Sequence, residues 1–260
     1  MRFVLYCIVF ISLNLTVFAN EKTIKLATLT WEPYIGPNIF KNGPVAEVIR
    51  QALIKEGYKL ELVFMPWARA LAESEKASDG IDGCMPKYYD KTILDKYVFS
   101  ESFFESPVGF ITNNSNLSKI SYKINKNDLD KTYDNLKGLT FGVVRGYFNE
   151  EKFDKRSDLN KIDVTNDEAN IVNLANGKVD LIFIDKYVFH YLARKNDKMN
   201  INEKNFTMLN PPISSHKLFI IFSKRAKNYL EKVKAFNDGL SKLIHEKKLQ
   251  RIKNEFEDFK

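Results

Sequence analysis

The feature that most constrains this chain is an alternation of elements that runs once, breaks off and starts again. Short apolar runs at 24–29, 60–64 and 108–112 read as buried strands. Between them, residues 45–55 carry apolar side chains at Val45, Val48, Ile49, Ala52 and Leu53, which is helical spacing, and Gly57 is placed to end that helix. A second helix, 66–76, opens on Pro66 at a favoured first-turn position. The segments 81–85 and 97–100 are short, extended and flanked by turn residues. Residues 113–135 are rich in Asn, Ser, Lys and Asp with little periodicity, and read as a surface connection. The pattern then restarts: a strand at 139–144, a turn at Gly146 into a helix at 148–155, and a capping box, Thr165-Asn166-Asp167-Glu168, ahead of a helix at 168–175. A buried strand at 179–184, a helix at 186–194, a strand at 218–222 and a long helical stretch at 226–256 complete the chain.

Strands separated by helices predict mostly parallel sheets with helices on their faces. The restart near residue 136 and the return of the last strand predict an α/β chain of two lobes joined by two crossings. Lobe 1 is expected over 20–110 plus 216–260 and lobe 2 over 111–215, with the crossings near 108–112 and 215–222.

Residues 1–19 read as a cleavable secretory signal: Arg2, an apolar stretch over 3–13, and Val17-Phe18-Ala19 before the cut. Ser12, Asn14 and Thr16 leave that stretch short for a membrane-spanning helix. The mature chain, from Asn20, is therefore expected to be periplasmic. It keeps one of the two cysteines, Cys84, so no intramolecular disulfide can form and a packed core must hold the fold. Cys84 reads as a small buried residue, because none of His190, His216 and His245 stands in a pattern that would activate a thiol. The formal charge of +7 is spread along the chain, which is the pattern of a solvated surface and not of a nucleic-acid stripe. No zinc spacing, phosphate loop or nucleophile elbow is present, so neither metal nor cofactor is expected.

Two segments look like the jaws of a clamp. Trp31-Glu32-Pro33-Tyr34 follows the first strand, and Gly177-Lys178-Val179-Asp180 leads into an apolar run that ends on Asp185. An aromatic at one strand end and a carboxylate at another suit a small cationic or zwitterionic solute. Plainer readings stand beside these: Trp31 as a core aromatic, Asp185 as the N-cap of the helix after it.

The mature chain resembles the family 3 extracellular solute-binding proteins, the periplasmic receptors of polar amino-acid ABC transporters. Four segments carry the resemblance in order: Trp31–Tyr34; Phe99-Ser100-Glu101-Ser102-Phe103-Phe104; Leu136-Lys137-Gly138 through Gly142-Val143-Val144-Arg145-Gly146; and Gly177–Asp180 with Asp185. The resemblance implies a type II periplasmic-binding-protein-like fold that closes over a small polar solute and presents it, as a monomer, to an inner-membrane ABC permease, with no catalysis. It implies that Trp31 stacks on the solute, that Tyr34 is among the ligand-binding residues and that Asp185 receives the solute's ammonium group. Arg145, Gly146 and Tyr147 stand at a turn that could bind an anion, or form a plain turn. Trp67 and Arg69 begin a helix facing the first aromatic segment, with Tyr88 just upstream of the position where the family grips a carboxylate. That position holds Ile93, not arginine, so either Arg69 or Arg145 takes the carboxylate or the solute is not an ordinary α-amino acid. A dehydratase-like enzyme and a ligand receptor for a membrane sensor are the alternatives on the same scaffold.

Overall fold

The computed structural model describes residues 22–195 and 201–256; the signal segment and Asn20 lie outside them. Strand β1 (Lys22–Thr28) buries Ile24 and Leu26 completely. Helix α1 (Pro44–Ile54) starts on proline and buries the apolar face that the spacing marked out. Then come β2 (Tyr58–Phe64), α2 (Trp67–Lys76), β3 (Gly83–Tyr88), β4 (Tyr97–Phe99) and the ten-residue β5 (Phe104–Asn113). Pro66 is the residue that precedes α2, not its first member. A second series follows: α3 (Leu129–Asp134), β6 (Thr140–Val144), α4 (Glu151–Lys155), β7 (Asn160–Val164), α5 (Asp167–Ala175), β8 (Leu181–Asp185) and α6 (Lys186–Lys195). The chain returns through β9 (Phe206–Met208), β10 (Ser214–Ser223), α7 (Tyr229–His245) and α8 (Lys248–Asn254).

The strands hydrogen-bond in the order β2-β1-β3-β10-β5-β8-β6-β7, with β4 added on β10 and β9 on β5. The trio β2-β1-β3 is parallel, and so is β8-β6-β7. Two long antiparallel strands join them. β5 pairs its first half with β10 and its second half with β8 and β9, while β10 runs on from β5 to β3 and β4. Each long strand thus belongs to both halves, and the changeover falls at Val108, which faces Ser214 on one side and Asp185 on the other. These are the two crossings.

The second half is held by an aromatic core. Phe110, from the crossing strand, lies 5.1 to 5.5 Å from the rings of Phe141, Phe153 and Phe183 and 6.3 Å from Tyr133. Edge-to-face pairs of this kind contribute about 0.5–1.5 kcal/mol each beyond the area they bury. In the first half α1 and α7 approach so closely that a Cβ on Gly239 would sit 2.0 Å from the Ala52 carbonyl oxygen. Asp82 tethers α7 to the sheet: it accepts from the Lys25 amide at 2.9 Å and pairs with Lys232.

Four expectations are corrected. The stretch at 113–135 is not only a surface connection, because it forms α3 and buries Tyr133 completely, its hydroxyl donating to Glu150 at 2.8 Å. One buried ring in a polar segment leaves no periodic trace. The last helix is two, broken where Lys247 adopts φ +55°. The helix expected from 148 begins only at Glu151, capped by the Glu150 side chain. The cap of α5 is Asn166, whose side chain accepts from the Ala169 amide at 2.8 Å, so Thr165 is outside the cap and Asp167 becomes the first helical residue.

Candidate ligand-binding site

The site lies where the carboxyl ends of the parallel strands meet the crossing strands. After β1 the backbone of Trp31 exchanges two hydrogen bonds with Ile35, at 2.8 and 3.1 Å, closing a tight loop. The loop stacks Trp31 on Tyr34, ring centroids 4.4 Å apart and nearly parallel. Tyr88, at the end of β3, meets Trp31 edge-on at 6.2 Å and holds its hydroxyl 2.6 Å from Ser106 Oγ on β5. From the other half, β6 turns through Gly146, at φ +80°, into Tyr147 and Phe148. Gly146 accepts that left-handed conformation without strain.

Leu29, Trp31, Trp67, Lys87, Tyr88, Gly146, Tyr147 and Phe148 line a cavity of about 70 Å³. A smaller chamber of about 20 Å³ adjoins it, sharing Trp31, Tyr88, Tyr147 and Phe148 and adding Asn149, Asp167 and Asp185. The walls are therefore aromatic and the inner end is acidic.

The two acids differ. Asp185 is buried and fully engaged: Oδ1 accepts from the Tyr187 and Val188 amides at 2.7 and 2.9 Å, and Oδ2 from the Tyr34 and Ser106 hydroxyls at 2.8 and 2.6 Å. Burial raises its carboxyl to about 6, although all four donors favour the charged form. Asp167 is 8 % exposed, and among the described residues its carboxylate has one hydrogen bond, from the Tyr147 hydroxyl to Oδ2 at 3.4 Å. Burial, and then the charge of Asp185, raise it to about 7. Burial, reinforced by these carboxylates, holds the Tyr34, Tyr88 and Tyr147 hydroxyls well above the usual phenol range. His216, on β10, lies against Tyr88 and donates from Nε2 to the Asn149 carbonyl at 2.7 Å; burial lowers its pKa.

Of the residues marked out in the sequence, Trp31, Trp67, Tyr88, Tyr147 and Asp185 line the two chambers. Tyr34 lies off them, beneath Trp31 and wholly buried. Arg69 and Arg145 are exposed and line neither chamber. Ile93 packs against the small cluster of Ala27, Cys84 and Tyr97. The sequence reading missed Lys87 and Asp167. Lys87 carries no local signal. Asp167 was in view, but as part of a helix cap. Cys84 is buried, and burial pushes its thiol up to about 12, far from a reactive thiolate. Among the described residues no cluster of acids, histidines or cysteines could hold a metal ion, and no helix is long and apolar enough to cross a membrane.

No family model and no curated protein matches the chain. Solved structures do. A histidine kinase sensor domain with similarity to periplasmic binding proteins superposes with a TM-score of 0.71 at 15% identity, covering 91% of this chain and 96% of the other. An ancestral amino acid-binding protein, a precursor of cyclohexadienyl dehydratase, gives 0.69 at 17% identity over 92% and 95%. The amino acid ABC transporter substrate-binding protein AbpA from Streptococcus pneumoniae, bound to L-arginine, gives 0.67 at 15% identity over 90% and 93%. At these identities the likeness shows the fold: two lobes of the periplasmic-binding-protein type, with mostly parallel sheets and two crossings, as the sequence resemblance implied.

Proposed function

We propose that this chain is an exported, monomeric receptor that captures a small polar solute between its lobes and delivers it to an inner-membrane ABC permease. The observation that carries the reading is the aromatic-walled, acid-ended cavity spanned by both halves, Trp31, Trp67 and Tyr88 from one and Tyr147, Asp167 and Asp185 from the other. Concave sites with apolar walls and a few convergent polar groups are the usual form of small-solute sites. We place lobe 1 at 20–110 plus 216–260 and lobe 2 at 111–215. Closure follows from the architecture: a solute touching both walls binds the closed form better and shifts the population toward it. Tyr34 supports this, since it donates to Asp185 across 151 residues of chain and so links the two jaw segments.

Micromolar binding needs about 8 kcal/mol. Stacking on Trp31 and one water-excluded charge pair can supply most of it. The test is a thermal-shift screen of the chain from Asn20, unfolded and refolded to strip any solute. A solute at about 100 times its Kd adds roughly 2.7 kcal/mol and raises Tm by several degrees. No shift across amines, amino acids, polyamines, small peptides and dicarboxylates would sink the receptor reading.

One observation favours a second reading. Two carboxyls with raised pKa values beside a cavity are also what general acid–base catalysis uses. A dehydratase-like enzyme would convert the solute that shifts Tm, which mass spectrometry of the incubated mixture detects. A receptor returns it unchanged.

A further inference from the structure

The chamber's charges do not balance. Three acidic or basic side chains line the two cavities: Lys87, Asp167 and Asp185. Lys87 has a partner of its own, Asp90, at 3.5 Å. Asp185 spends both oxygens on two amides and two hydroxyls. That leaves Asp167, more than nine-tenths buried, with Oδ1 free of any hydrogen bond among the described residues and one long bond on Oδ2. A buried carboxylate so poorly matched costs free energy unless a cation or a proton joins it. Among the described residues no side chain supplies the cation. Arg69 and Arg145 are exposed outside the cavities, and Lys87 lines the outer chamber only.

The walls favour the same kind of guest. Trp31, Tyr88, Tyr147 and Phe148 bound both chambers, and electron-rich ring faces attract cations in water-excluded sites. A carboxylate on the guest would be poorly served, because among the described residues Lys87, already shared with Asp90, is the sole basic side chain lining either chamber.

Resting on the receptor reading, we propose that the captured solute is an organic cation without a carboxylate, an amine or guanidine on an apolar body, with Asp167 as its counter-ion. Asp185 holds the cleft together instead of binding the guest. The cationic head enters the inner chamber beside Asp167 Oδ1, and the body stacks between Trp31 and Tyr147.

The experiment compares matched pairs by calorimetry on the refolded chain: agmatine with arginine, cadaverine with lysine, phenethylamine with phenylalanine. The amine of at least one pair is expected to bind on the order of tenfold or more tighter than its amino acid. In Asp167→Asn that amine should weaken by about 30-fold or more, the scale for removing one partner of a buried charge pair. Circular dichroism of the variant confirms the fold. A second measurement needs no variant. The groups facing Asp167 are Asp185 from the β8–α6 turn, Tyr147 after β6, and Glu168 on its own helix. A cation competes with the proton that Asp167 takes up in the empty cleft. Wild-type affinity should therefore rise from about pH 5 to about pH 7 and then level off.

Three results overturn the proposal. These are amino acids as the tighter member of every pair, amine affinity unchanged in Asp167→Asn, and wild-type amine affinity flat with pH. Each of these leaves the receptor reading standing. If none of the three pairs binds, the proposal falls, and the receptor reading falls with it only if the wider thermal-shift panel is silent too.

Discussion

Two turns of this molecule are built alike and use their acids in opposite ways. Strand β7 turns into α5 and strand β8 turns into α6, each turn bringing an aspartate to the inner chamber. At the second turn Asp185 itself caps the helix, accepting from Tyr187 and Val188, and the crossing strand and the first jaw supply two more donors. At the first turn Asn166 does the capping, and Asp167, one residue on, is left facing the chamber with little to hold it. The residue that caps the helix is consumed by the fold. The acid beside the cap is left with a single long bond.

This contrast breaks most sharply in stability. Asp185→Ala removes a helix cap and strips an acceptor from two buried hydroxyls, so a loss of about 3 kcal/mol is expected. Denaturant unfolding at pH 5, where Asp185 is nearer to neutral, measures it, and unchanged stability would show that the four bonds do not support the cleft.

Asp167→Asn should act in the other direction. A carboxyl raised from 3.8 to about 7 binds more protons folded than unfolded, so its presence lowers stability as pH rises from about 4 to about 7. At pH 8 the variant should gain about 2 kcal/mol, the usual outcome when a strained functional group is replaced. At pH 4 the gain should vanish. A variant less stable at pH 8 would mean that Asp167 serves the fold after all.

Smaller effects sharpen the same comparison. Asn166→Ala should cost about 1 kcal/mol, the worth of a cap, in thermal unfolding. A loss under a few tenths would remove Asn166 from that role and return it to the capping box read in the sequence. Tyr147→Phe deletes the one bond on Asp167 and should change stability by about 0.5 kcal/mol or less, because that bond is long. A cost near 2 kcal/mol would show a tighter pairing than 3.4 Å allows.

Much of the fold was legible because the chain repeats its signals. Periodic apolar spacing marked α1, uninterrupted apolar runs marked β6 and β8, and the restart near residue 136 marked the second half. Strands β7 and β9 left no such mark. β7 pairs on one side and exposes most of its side chains, so neither alternation nor hydrophobicity selected it. The site was legible in its walls: Trp31, Trp67, Tyr88 and Tyr147 line the chambers, since a bulky aromatic at a strand end or turn has few other places to go. The charged residues were less so. Arg69 and Arg145 bear charge that water satisfies better than a cleft does, and both are exposed.

By itself the sequence determined the α/β alternation, the two crossings and the aromatic character of the cavity walls, because each follows from spacing or residue type. Only the tertiary structure decided which aspartate is fully engaged and which carries a single long bond. Thr165, Asn166, Asp167 and Glu168 form a plausible capping box on paper. A shift of one residue in the cap made Asn166 the acceptor and turned Asp167 toward the chamber, while Tyr34 and Ser106, 151 and 79 positions away from it, closed around Asp185. Hydrogen bonds across such distances exist only once the strands have been brought together, and they, not the local pattern, assign each carboxylate its work.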